Sequence, residues 1–167
     1  KQITLNSVLA AICATLAFLA ISTQGLKITF ESLPVLIGAL LFGPLSGAAI
    51  GTLGTVIYQL LKFGVTITTP LWILPYTIYG LYVGCYAKRC SFKLSTKQTF
   101  FIVISGELLI TMINTISLYI DSHIYGYYYP ALIVGLLLPR LGICIAKGIA
   151  FSLIAPQIVM PLQKISK

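Results

Sequence analysis

Apolar residues come in long blocks along this chain, and the polar and charged positions fall between them. The blocks at residues 6–23, 30–42, 45–61, 71–87, 98–120 and 140–162 predict six helices. Five are long enough for a hydrocarbon core of about 30 Å, which takes roughly 20 helical residues per crossing. The second is short. Short or Gly/Pro-interrupted helices are tolerated where protein covers the backbone or where it lines a cavity, so this block points towards a binding site. Gly43-Pro44 then forces a reversal, because proline cannot continue a helix and glycine accepts turn geometry. Blocks two and three therefore read as a hairpin. After the reversal, Gly47, Gly51 and Gly54 follow at spacings of four and three, which leaves one smooth helix face for a close neighbour. Ala10, Ala14 and Ala17 do the same in the first block, either for packing inside the bundle or for docking a separate membrane subunit. The apolar run 131–138 is too short to cross, so the region 125–139 is expected outside and the last helix is expected to begin at Arg140.

Composition makes the membrane assignment firm. The chain has 167 residues, 58% hydrophobic and 8% charged, and its mean hydropathy is +1.00. A soluble domain carries about a quarter of its residues charged. The chain thus reads as one transmembrane domain, 1–167, with no room for a soluble catalytic or nucleotide-binding unit. Its first block lacks a cleavage-site pattern and is expected to be retained. The net charge of +8 would suggest nucleic acid in a soluble protein, but here the cations sit at segment ends and in loops. Lys88, Arg89, Lys93 and Lys97 mark a cytoplasmic loop by the positive-inside rule. Lys1 at one end and Lys164 and Lys167 at the other place both termini in the cytoplasm, which requires an even number of crossings; six fits. The four cysteines, Cys13, Cys85, Cys90 and Cys144, have no CxxC spacing and read as free thiols.

Ionisable groups within apolar segments are costly, about 2.5–3.5 kcal/mol each at mid-membrane, and therefore informative. Glu107 and Lys147 are two such groups. Either they pair between segments five and six, or Glu107 faces a cavity and accepts hydrogen bonds from a ligand, helped by Asn114 two turns along the same face. Trp72, Tyr76 and Tyr79 share one helix face, as an interfacial belt or as a wall for stacking a flat ring. Lys27, Lys62 and Arg140 fall on the outer side, where positive charge is normally sparse, and suit an anionic ligand arriving from outside. The lone His123 reads as solvated. No phosphate loop, HExxH or Ser-His-Asp set occurs and only three acids are present, so no enzyme class fits; nor does any filter-like segment suggest a channel.

The run Ile28-Thr29-Phe30-Glu31-Ser32-Leu33-Pro34, continued by Leu41-Phe42-Gly43-Pro44-Leu45-Ser46-Gly47 and Gly51, resembles the substrate-binding S components of energy-coupling factor (ECF) transporters, in particular the folate-specific branch. Glu107 followed by Asn114-Thr115, then Pro139-Arg140 opening the last helix and Pro156 near its end, extend the resemblance over nearly the whole chain. It implies an all-α, six-transmembrane-helix bundle that captures folate from outside and docks on a membrane scaffold subunit driven by two ATPase subunits. The chain itself would hydrolyse nothing and need no cofactor or metal. Ala10 and Ala14 stand where family members meet the scaffold, and the loops 24–32 and 64–70 would close over the ligand. With the residue chemistry, the resemblance implies a substrate site of Lys27, Phe30, Glu31, Trp72, Tyr76, Glu107, Asn114 and Arg140. The pterin would stack on Trp72 and Tyr76 and bond to Glu107 or Asn114, and the glutamate carboxylates would lie near Lys27 and Arg140. Lys27 stands where arginine is expected in many folate binders, keeping the charge without the planar fork. Other readings are an S component for riboflavin, a pyrimidine or a queuosine precursor, and a non-transporting membrane assembly factor.

Overall fold

Proline and glycine set where the helices start and stop. In the computed structural model, which describes residues 2–23 and 26–166, α1 is Gln2–Phe18, β1 Ile21–Thr23, β2 Leu26–Ile28, α2 Ser32–Phe42, α3 Pro44–Phe63, α4 Thr69–Arg89, α5 Thr96–Ile124 and α6 Pro130–Ser166. Lys1 and Lys167, two of the topology signals, and Gln24, the start of the expected first loop, lie outside the described residues. Gly43 makes the α2–α3 reversal at φ 89°, a left-handed conformation that glycine adopts without penalty, and Pro44 opens α3. Ser95 and Gln98 close a capping box at the start of α5, each side chain taking the other's backbone N–H.

The described residues form helices alone, apart from one two-stranded hairpin. That hairpin pairs Ser22 with Lys27 and Ile21 with Ile28 in the region read from the sequence as a loop. Among the described residues, three helices are long and apolar enough to cross a membrane: α3, α5 and Pro130–Leu162 of α6. α1 and α2 are apolar but shorter. α2 is the centre of the core, with Val35, Leu36 and Ala39 fully enclosed, and Ile50, Tyr79, Val83, Ile102 and Phe151 pack around it.

The glycine face of α3 lies against α4. A Cβ on Gly47 would stand 2.8 Å from the Gly80 carbonyl oxygen, and one on Gly51 would stand 2.5 Å from that of Tyr76. The two backbones touch without side chains between them. Farther along α4, Pro75 removes the N–H that would bond the Leu71 carbonyl four residues back. The Ser117 hydroxyl of α5 donates to that carbonyl at 2.9 Å instead, so the break in α4 is filled from its neighbour.

Two expectations are corrected. The last helix begins at Pro130 and not at Arg140, with Pro139 inside it; proline at a first turn is as good a start as any, and the run 131–138 adds turns to α6. The small face of α1 turns inward. Ala10 and Ala14 are 3% and 5% exposed and lie with Cys13 and Ala17 against the bundle, where Gly54 of α3 leaves room for Cys13. The chain's own bundle thus covers this face, and the small residues that α1 presents outward include Ser7, Ala11 and Thr15.

Candidate functional site

One end of the bundle holds a cavity of about 430 Å³ between the β2–α2 segment and helices α3 to α6. Helical spacing builds each wall. On α5, Glu107, Thr111, Asn114 and Leu118 recur at four and three residues, and on α6 Arg140, Cys144 and Lys147 do the same. α4 contributes Trp72 and Tyr76, and α3 contributes Thr55, Tyr58, Gln59 and Lys62. The segment entering α2 adds Lys27, Thr29 and Glu31. Thr29 and Glu31 face the cavity while Phe30 between them does not line it; its ring is half-exposed and packs on Phe151 at 6.1 Å.

The other seven residues expected at a substrate site, Lys27, Glu31, Trp72, Tyr76, Glu107, Asn114 and Arg140, line this one cavity. Tyr79 leaves the proposed aromatic wall. It is fully buried, with its ring over Gly106 of α5. Thr55, Tyr58 and Gln59 were not expected, although polar Thr55, Gln59 and Lys62, at spacings of four and three on an otherwise apolar helix, carry the signal.

Both buried glutamates are ion-paired. Lys147 Nζ lies 3.1 Å from Glu107 Oε2, and Lys27 Nζ lies 3.5 Å from Glu31 Oε1, which also accepts from the Tyr76 hydroxyl. Each glutamate is 1% exposed. The opposite oxygens, Glu31 Oε2 and Glu107 Oε1, and the hydroxyl of buried Thr55 have no hydrogen-bond partner among the described residues. Such groups are rare in folded proteins, because each forfeits water without replacement. Lys27 also stands over the Tyr58 ring at 4.1 Å, with Lys62 at 5.3 Å, so one aromatic face holds two cations near the entrance. Arg140 Nη1 reaches Thr115 Oγ1 at 3.4 Å. The lining therefore carries four cations, Lys27, Lys62, Arg140 and Lys147, and two carboxylates.

A second cavity of about 340 Å³ shares Lys27, Tyr58, Gln59, Phe63 and Trp72 with the first and continues to Thr66, Thr68, Asp121 and Tyr127. Trp72 stands at the boundary. Its Nε1 donates to Asp121 Oδ1 at 3.3 Å, and the Tyr127 hydroxyl donates to the other oxygen. Burial and the Asp121 carboxylate push the Tyr127 phenol up from its ordinary pKa, so it stays a neutral donor at physiological pH. His123 is exposed and packs its ring against Tyr119 and Tyr128, at 4.3 and 4.2 Å between centroids. No cluster of three His, Cys, Asp or Glu suited to a metal occurs among the described residues.

Residues 1–159 match the family described as ECF transporter, substrate-specific component. A solved structure, described as the S component of a bacterial ECF transporter, superposes with a TM-score of 0.68 at 21% identity, covering 100% of this chain and 98% of that one. At that identity the likeness establishes the fold. No curated protein sequence matches the chain.

Proposed function

The chain belongs to the family of substrate-specific components of ECF transporters, and from that premise we propose that it captures folate at the outer face of the membrane. As a member of the family it is a substrate-binding transporter subunit and not an enzyme, and it works with the scaffold and ATPase module. All six helices would sit in the bilayer with both termini cytoplasmic, so the cavity end, with the hairpin and the α3–α4 and α5–α6 connections, would face outward.

The observation that carries the reading is the cavity itself: paired carboxylates, the Trp72 and Tyr76 rings, and Lys27, Lys62 and Arg140 meet in one space. A flat heterocycle with polar edges and an anionic tail satisfies all three. The pterin would stack on Trp72 with its edge towards Glu31, Tyr76 and Glu107, and the glutamate carboxylates would lie by Lys27, Lys62 and Arg140. Asn114 and Gln59 offer both donors and acceptors to the middle of the ligand. The hairpin and residues 64–70 would close the entrance. Docking to the scaffold would use the outward side of α1 at Ser7, Ala11 and Thr15.

Calorimetry on the detergent-purified chain tests this directly. Folate should bind tightly and quench the fluorescence of Trp72, the single tryptophan, while riboflavin should do neither. Trp72→Ala should weaken folate binding by about tenfold to a hundredfold through lost stacking. Arg140→Ala should weaken it by about tenfold, in line with a charge-assisted contact. Riboflavin binding without folate binding would sink the assignment.

Orientation has its own test. A cysteine at Lys93, in a chain whose native cysteines are replaced by serine or alanine, should react with a membrane-impermeant maleimide in inside-out vesicles and not in intact cells. Labelling of intact cells would reverse the topology.

A further inference from the structure

Three polar atoms of the cavity wall have no partner among the described residues: Glu31 Oε2, Glu107 Oε1 and Thr55 Oγ1. They belong to side chains that are 1%, 1% and 2% exposed. Each carboxylate already has its other oxygen engaged, Glu31 by Lys27 and Tyr76 and Glu107 by Lys147. A carboxylate accepts hydrogen bonds and donates none. The remaining demand of this wall is thus for two donors, one for Glu31 at the start of α2 and one for Glu107 on α5. Thr55 on α3 can donate or accept and fits either neighbour.

From this geometry we infer that the cavity selects heterocycles by the amino group at ring position 2: it takes 2-amino-4-oxo rings and refuses their 2,4-dioxo counterparts. A 2-amino-4-oxo edge places an exocyclic NH₂ beside a ring N–H, giving adjacent donors. In the 2,4-dioxo ring the amino group becomes a carbonyl. That swap sets an oxygen lone pair against a carboxylate where the amino group had donated, and the N–H gained at ring position 1 lies on the far side of that carbonyl and does not restore the adjacent pair. The ring skeleton and its stacking on Trp72 are unchanged. Selection would therefore sit with Glu31, Glu107 and Thr55, and not with the aromatic wall or the outer cations. The inference rests on the cavity being the substrate site, but it applies to any ring that enters, folate or not.

The test compares matched pairs on the purified wild-type chain by calorimetry: folate with 2-deamino-2-oxofolate, and a 2-amino-6-oxopurine, which carries the same edge in purine numbering, with its 2,6-dioxo counterpart, with riboflavin as a further dioxo ring. Within whichever pair binds, the amino member should bind about 100-fold more tightly. Folate failing while the amino purine binds and the dioxo purine does not would overturn the folate assignment and uphold the selection rule. Equal affinities within a pair, or riboflavin binding best, would overturn the rule. Silence from every ligand would overturn both. Glu107→Gln, which offers an NH₂ in place of an acceptor, should shrink the preference by about tenfold or more; an unchanged ratio in a folded variant would remove Glu107 from the rule. The wild-type comparison decides the matter without any variant.

Discussion

Gly80→Val is expected to leave no folded protein. A Cβ at Gly80 would overlap the Gly47 carbonyl carbon and oxygen and would stand 2.6 Å from the Ala48 nitrogen. These are backbone atoms of the facing helix, so no side chain can swing away; α3 and α4 would have to separate. Separation would open the core around Ile50 and Val83 and displace Tyr76 from Glu31. Overpacking in a tolerant core costs about 1–3 kcal/mol, and a backbone-on-backbone seam has no such tolerance, so the cost exceeds about 3 kcal/mol. Gel filtration in detergent should show aggregate in place of a single peak. Gly142→Ala is the control, because its added methyl meets nothing within 4 Å and it lies within a helix. That variant should behave as wild type or gain up to about 1 kcal/mol. A monodisperse Gly80→Val protein would show that the seam is looser than its geometry.

The second large effect concerns the Glu107–Lys147 pair. Glu107→Ala should lower stability by about 3–5 kcal/mol, because it strands the Lys147 ammonium in a site where that side chain is only 13% exposed. The apparent melting temperature should fall by roughly 10 °C for a chain of this size. Removing both charges together, as Glu107→Gln with Lys147→Met, should recover most of that loss, since a buried pair often contributes little beyond a neutral replacement. Ligand binding should remain weakened in the double variant. Stability and binding thus separate at one site: recovery of both would make the pair a purely structural brace, and recovery of neither would mean that α5 and α6 need the ion pair to pack.

The architecture was largely legible because membrane helices write themselves in long apolar blocks, and Gly43-Pro44 marks its reversal without ambiguity. Helix ends were harder to read. Both Pro130 and Pro139 can open a helix, and only packing decides that the earlier one does. The face of α1 illustrates a different limit, since periodicity reveals that Ala10, Ala14 and Ala17 form a flat stripe but not whether a helix of the same chain or of another covers it. Gly54 on α3 settles that in favour of the chain's own bundle. At the candidate site the buried charges were found because apolar surroundings make them conspicuous. Phe30 does not line the cavity although the motif includes it, because a motif names a run of residues without telling which way each side chain points. Thr55 and Gln59 were overlooked because the glycines of α3 drew the reading to its adjoining face.

α2 has one more consequence. Eleven residues at 1.5 Å each make a rod of roughly 16 Å, about half the hydrocarbon thickness, and nearly every side chain from Ser32 to Leu40 is enclosed by protein. Such a segment is too short to be threaded into a bilayer by itself and has little surface to offer lipid. During synthesis it would wait beside the membrane or lie against α1 and α3. Tyr79, Val83, Ile102 and Phe151 of α4 to α6 complete its enclosure, so the housing of this short helix is finished only after the later helices are made.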